Sequence, residues 1–300
     1  MSVDRLSPLD DGFLLIERDV QQMHVGSALL FAGPAPSYDD LLAYMASRLH
    51  DVPRYRQRVQ RVPFDLGRPV WVDDEFFNLT YHVRHTALPS PGGEEQLRTL
   101  GARIFSQRLD TSRPLWEMWL VEGLADGGWA LLNKVHHAMI DGVSGHDLLE
   151  VLLDTEPGDG QIPPARVWLP QPPPSTRDLL SDAALVTVTR PVDTVKASVS
   201  VFTSSQAMQL AAGRAVGLAR FGRKVARAES VLNGPIGPHR RWAWAHGSLD
   251  EVKAVKNALG GTVNDVVLAA ISGGYRAFLT ERGEDVAGLT IRTMVPVSVR

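Results

Sequence analysis

The chain has 300 residues, 44% hydrophobic and 22% charged, with 20 prolines and 26 glycines, a composition that excludes disordered and fibrous classes and fits a globular protein. Lys plus Arg number 31 against 34 for Asp plus Glu, and a formal charge of −3 offers no footprint for nucleic acid. Without cysteine there is no disulfide, thiolate metal site or cysteine nucleophile, which fits a reducing, cytoplasmic compartment.

The opening MSVDRLSPLDDGFLLIE carries acids and a proline where a signal peptide has a basic region and an apolar run. No stretch reaches the roughly 18 apolar residues of a membrane span, so any membrane contact is expected to be peripheral. Residues 23–31 read as a buried strand, and 37–50 as a helix opened by Ser37 with Asp39 and Asp40 in its first turn. Strand-like runs follow at 70–72 and 79–86, then a Pro/Gly turn and a helix over 94–109. Residues 115–122 and 128–137 are two β-prone runs around Ala125, Asp126 and Gly127, the pattern of a hairpin with a short glycine-containing loop. The second run ends in HHAMIDG, after which Ser144 and Asp147 suit a capping box for a helix to about Asp154.

Seven prolines between Pro157 and Pro174 mark a linker, and the expected organisation is a first half over 1–156, a Pro-rich and helical linker over 157–232, and a second half over 233–300. Within the latter, 248–259 suggests a helix. Val263, Val266, Val267, Ala270, Ile271, Tyr275 and Phe278 keep the 3.6-residue period of another, and 289–299 reads as a strand ending at Arg300. There is no internal repeat and no phosphate-binding GxGxxG or Walker motif.

The chemistry concentrates in HHAMIDG. On a strand, His136 and His137 point to opposite faces, so one can face a cavity while the other turns into the scaffold. Asp141 can return to buttress the site, and Gly142 permits a close backbone approach. A histidine held in this way suits general-base work near neutral pH, and amides at the start of the helix opened by Ser144 suit an oxyanion. The same residues also fit a packed, hydrogen-bonded pair. A metal site is the third reading, with only three local ligands and no HExxH or facial-triad spacing to support it.

HHAMIDG at 136–142 resembles the HHxxxDG signature of the chloramphenicol acetyltransferase-like superfamily. SPLDDGFLLIE at 7–17, MHVGSALLF at 23–31, PLWEMWLVEGL at 114–124, LNGPIGPHR at 232–240, NDVVLAAISGGYR at 264–276 and RTMVPVSVR at 292–300 resemble, in order, bacterial wax ester synthase/diacylglycerol acyltransferases. The resemblance implies an α/β, two-layer sandwich with a mixed sheet and helices. It also implies acyl transfer from acyl-CoA to diacylglycerol or a long-chain alcohol, giving triacylglycerol or wax ester, the alternatives being a noncatalytic lipid-surface-binding protein on the same fold and a condensation-type acyltransferase acting on carrier proteins. In that scheme His137 is the base, His136, Asp141 and Gly142 support it, and acyl-CoA is a substrate, with no metal or bound cofactor. Arg300 is the expected ion-pair partner of Asp141, its alternative a solvent-facing strand end. Asn264 and Asp265 match a second family block and are substrate-site candidates, although an acid after Thr262 also suits a helix start. Trp116 and Met118 read as core. Family members are longer, so the second half is expected to be incomplete here, with sheet surface exposed and activity dependent on the remainder of the protein. Arg220, Arg223, Lys224 and Arg227 form a basic helical stripe that reads as a solvated face, a contact for anionic lipid at a membrane or lipid droplet, or a contact for CoA phosphates.

Overall fold

The computed structural model describes residues 4–140, 160–189, 232 and 235–291. Its first helix, α1 (Pro8–Ile16), begins at a capping box: Asp10 N–H donates to Ser7 Oγ at 3.1 Å, and Ser7 N–H donates to Asp10 Oδ2 at 3.2 Å. Pro8 at the first helical position loses no hydrogen bond there. The chain then enters β1 (His24–Phe31) and α2 (Tyr38–Arg48), which Ser37 caps as its sequence predicts. β2 (Gln57–Gln60) and β3 (Val70–Asp73) form a separate antiparallel pair. The run at 79–86, expected as one strand, starts instead as the helical turn α3 (Leu79–His82) before β4 (Val83–Ala87). Asn78 explains the difference, because its Oδ1 accepts the Thr80 N–H and so starts a helical turn.

Helix α4 (Glu94–Phe105) leads to the hairpin β5 (Trp116–Glu122) and β6 (Trp129–His136), whose loop turns at Gly127 with φ 77°. Four strands join in the order β1-β6-β5-β4, with β4 and β5 parallel and the other pairs antiparallel, which makes the sheet mixed. Side chains alternate across it. Trp116, Met118, Leu120, Leu131 and Val135 face the main core with Leu41 and Met45 of α2 and Leu49 just past its end. The opposite face meets α4: Phe105 lies against Gly26, and Lys134 Nζ donates to the Ile104 carbonyl. The sheet is thus covered by helices on both faces, an α/β arrangement.

The Pro-rich stretch from Gln161 to Ser175 carries no regular secondary structure and runs along the first half, where Trp168 takes the Arg56 guanidinium on its ring face. After it, α6 (Thr176–Thr189) brings Leu179 onto Val62, Val70 and Val72, and Asp182 onto Arg5. Arg240 returns to the same body by donating to Ser106 Oγ, the Val20 carbonyl and Gln22 Oε1. The chain divides into two compact units, Met1–Trp242 and Ala243–Arg300. In the second, α7 (Leu249–Leu259) packs on α8 (Val263–Glu281), with Leu279 fully buried while Val267, Ile271, Tyr275 and Phe278 stay exposed. Leu289 to Ile291 are not in a strand, and the rest of the run to Arg300 lies outside the described residues.

Candidate active site

The starts of β1 and β5 and the end of β6 come together at one end of the sheet, because His24 pairs with His136 and Trp116 with Val135. β6 stops at His136. His137 opens a short helical turn, α5 (His137–Ile140), so the strand alternation expected for the two histidines does not extend to the second one. A different device separates their faces. The His137 N–H donates to the Met23 carbonyl at 2.8 Å and the His136 N–H to the Leu115 carbonyl at 3.0 Å, which ends the ladder at this point.

His136 has no exposed surface. Its Nδ1 accepts the Ala138 N–H at 3.1 Å, which places the ring proton on Nε2. That Nε2 has no hydrogen-bond partner among the described residues and lies 3.7 Å from Glu17 Oε1. Burial pushes its pKa down to about 4, against the opposing pull of the Glu17 carboxylate, so the ring is neutral at physiological pH. His24, beside it, is also pushed down to about 4 by burial, and its Nε2–H donates to the Phe105 carbonyl at 3.0 Å. His137 is half-buried and stacks on Phe13 of α1, with ring centroids 4.7 Å apart. Of the two histidines, only His137 keeps exposed surface.

Around this pair lies a charged network under α4. Glu17, just past the end of α1, accepts the Met23 N–H at 3.3 Å and the Arg108 guanidinium at 2.8 Å. Lys134, two residues before His136 on the same face, ion-pairs with Glu117 and donates to the Ile104 and Gln107 carbonyls at 3.1 Å. Leu115 and Trp116 are buried in the main core, where the His82 ring stacks on Trp116 at 4.7 Å and its Nδ1–H donates to the Trp116 carbonyl. A cavity of about 280 Å³ opens nearby between Tyr81, Arg84, Arg108, Trp116 and Glu117, and neither histidine of the pair lines it.

Asp141, Gly142, Ser144, Arg300 and the basic stripe at Arg220, Arg223, Lys224 and Arg227 lie outside the described residues. Asn264 and Asp265 are exposed in the first turn of α8, where Asp265 completes a capping box: its Oδ2 accepts the Thr262 N–H and hydroxyl at 2.7 Å. Those hydrogen bonds hold its carboxyl below the usual carboxylate range. Among the described residues no group of three His, Asp or Glu side chains is arranged to hold a metal ion. Sequence reading passed over Phe13, Glu17, His24, Lys134 and Arg108. Two signals were available: Ser7-x-x-Asp10 with Pro8 marks the start of α1, and period-2 spacing places Lys134 on the face of His136.

The sequence profile of the wax ester synthase/diacylglycerol acyltransferase catalytic domain matches residues 6–267. A Mycobacterium tuberculosis protein named as a probable diacylglycerol O-acyltransferase, tgs1, is 39% identical over 99% of this chain and 62% of its own length. A second from that organism, tgs3, is 40% identical over 85% of this chain and 96% of its own. The solved wax ester synthase/diacylglycerol acyltransferase of Marinobacter aquaeolei VT8 superposes with a TM-score of 0.62 at 31% identity, covering 93% of this chain and 61% of that one. The chain thus spans about 62% of the length of tgs1.

Proposed function

The chain belongs to the wax ester synthase/diacylglycerol acyltransferase catalytic-domain family, and on that premise we propose that it carries the base of an acyl transfer from acyl-CoA to the hydroxyl of diacylglycerol or a long-chain alcohol. One observation carries the assignment of the base: of two adjacent imidazoles, His136 is sealed and hydrogen-bonded into the scaffold, while His137 is half-buried with its ring held against Phe13. His137 takes the hydroxyl proton as the oxygen attacks the thioester carbonyl. The tetrahedral oxyanion then collapses, the carbon–sulfur bond breaks, and the CoA thiolate leaves and recovers the proton from the imidazolium. The products are triacylglycerol or wax ester and free CoA, with no acyl-enzyme and no further group taking part. Asp141 and Gly142 support the turn in this reading, with Asp141 paired to Arg300. A double-mutant cycle on those two side chains tests the pairing.

The hydroxyl substrates are lipids, so the protein works at a membrane or droplet surface. Among the described residues no helix is long and apolar enough to cross a membrane, which fits a peripheral approach. The deciding experiment uses the intact protein, second half complete, as wild type and as His137→Ala, offers each labelled palmitoyl-CoA with diacylglycerol and hexadecanol in competition, and separates the products by lipid chromatography. Transfer should fall by about 10² to 10⁴ in the variant with the fold intact. Wild type without transfer, or a fully active His137→Ala, refutes the assignment.

A further inference from the structure

Helix α1 ends where the two histidines begin their turn, and a single oxygen connects the two. Glu17 Oε1 accepts the Met23 N–H at 3.3 Å, and the Met23 carbonyl accepts the His137 N–H at 2.8 Å. The same Oε1 lies 3.7 Å from His136 Nε2, and the Nδ1 across that ring accepts the Ala138 N–H at 3.1 Å. One hydrogen-bonded path, through Met23, and one electrostatic contact, through the His136 ring, therefore link one carboxylate oxygen to the two backbone amides that flank the His137 side chain. The other oxygen, Oε2, is held by Arg108 at 2.8 Å, and Arg108 is itself braced on Asp19 at 2.8 Å. The Glu17 side chain is 2% exposed, so solvent does not compete for these bonds.

We infer that Glu17 is a positioning residue for His137, acting through His136 and Met23; the inference rests on the reading of His137 as the base. The neutral His136 ring can accept from Ala138 through Nδ1 only while its proton sits on Nε2, and that tautomer is favoured by an acceptor on the Nε2 side. Glu17 Oε1, at 3.7 Å and beyond hydrogen-bond length, supplies the oxygen on that side whose negative charge attracts the Nε2 proton. Glu17 also anchors Met23 through its N–H, while the carbonyl of the same residue receives the His137 amide, and it follows the helix whose Phe13 carries the His137 ring. Losing the oxygen frees the turn at its backbone and at its ring together, and a displacement of about an ångström at a reacting group is enough to cost roughly 100-fold in rate.

The test compares Glu17→Gln, which keeps an oxygen in place, with Glu17→Asp, which withdraws it by one methylene, and Glu17→Ala, which removes it. Expected are a kcat near wild type for E17Q and a fall of about 10- to 100-fold for E17D and E17A, with KM for acyl-CoA held within about twofold. Imidazole nitrogen NMR gives a readout independent of acyl transfer: His136 should be a single Nε2–H tautomer in wild type and E17Q, and mixed in E17D and E17A. If wild type catalyses no transfer, the function proposal fails while the tautomer comparison still decides the role of Glu17. Unchanged tautomers in E17D overturn the inference, and so does a fall in kcat that only follows loss of folded protein by circular dichroism. E17D decides if E17A does not fold.

Discussion

Lys134, with no exposed surface, meets Glu117 directly across β5 and β6 as an ion pair, and the same ammonium closes the end of α4 by donating to the Ile104 and Gln107 carbonyls at 3.1 Å. Burial pulls the lysine pKa down and the Glu117 carboxylate pulls it back up. A cation at a helix C-terminus, satisfied by a carboxylate and two carbonyls, is a stable solution for a charge in a sheet interior. The pair sits one strand pleat from His136, so it couples the position of α4 to the histidine turn.

Removing one member leaves the other a buried charge without its main counter-charge, Glu117 keeping only Arg84 and Trp119 and Lys134 only its two carbonyls. Lys134→Met is expected to lower stability by about 3–5 kcal/mol in urea unfolding. Glu117→Gln keeps a polar partner for Arg84 and Trp119, at 3.4 and 3.2 Å, and should cost less. In the double variant the two losses should not add, because the charge left behind by each is gone. Additive losses would show that the pair carries no net interaction.

Gly26 permits the close approach of α4. A Cβ there would stand 2.5 Å from the Phe105 ring, whose backbone carbonyl accepts from His24. Gly26→Ala should therefore displace α4 and cost about 1–3 kcal/mol, seen as a lower melting temperature. The His24 imidazole signals should shift with it.

Acid should destabilise the protein through three buried rings. His24, His82 and His136 each go from a pKa of 6.5 in the unfolded chain to about 4 in the fold, all mainly by burial. Between those values the unfolded state holds more protons, so their stabilising contribution is complete above about pH 6.5 and drains away as pH falls towards 4. The slope is about 1.4 kcal/mol per proton per pH unit, and a charge on His24 opposes protonation of His136. His82→Asn keeps a donor for the Trp116 carbonyl and should reduce the slope by about one proton in denaturant titrations across that window.

The capping box of α8 separates a structural from a substrate role for Asp265. Thr262→Ala and Asp265→Ala each break half of it and should weaken the start of α8 to a similar degree. Equal effects on acyl transfer mean that Asp265 acts through the cap. A much larger loss for Asp265→Ala assigns it contact with substrate.

Much of the fold was legible because local signals agreed. Ser37 opens α2, Thr262 opens α8, and the two β-prone runs around Gly127 form the central hairpin. The 79–86 run was misread because an Asn78 side chain bonding two residues ahead outweighs strand propensity over one turn. The end of β6 was placed one residue late, since a ladder ends where its partners' amides and carbonyls are taken by other segments, here the Met23 and Leu115 carbonyls.

Sequence alone determined which residues could do the chemistry: a histidine pair at the end of a predicted strand, in blocks whose order resembled one family. Period and capping are written within a few neighbouring residues, so they survive without coordinates. Only the tertiary structure decided which histidine is sealed and which keeps exposed surface, and that Glu17, Phe13 and Arg108 surround them. Those are contacts between segments far apart in the chain, and burial, which sets the protonation of His136, exists only once the segments have packed.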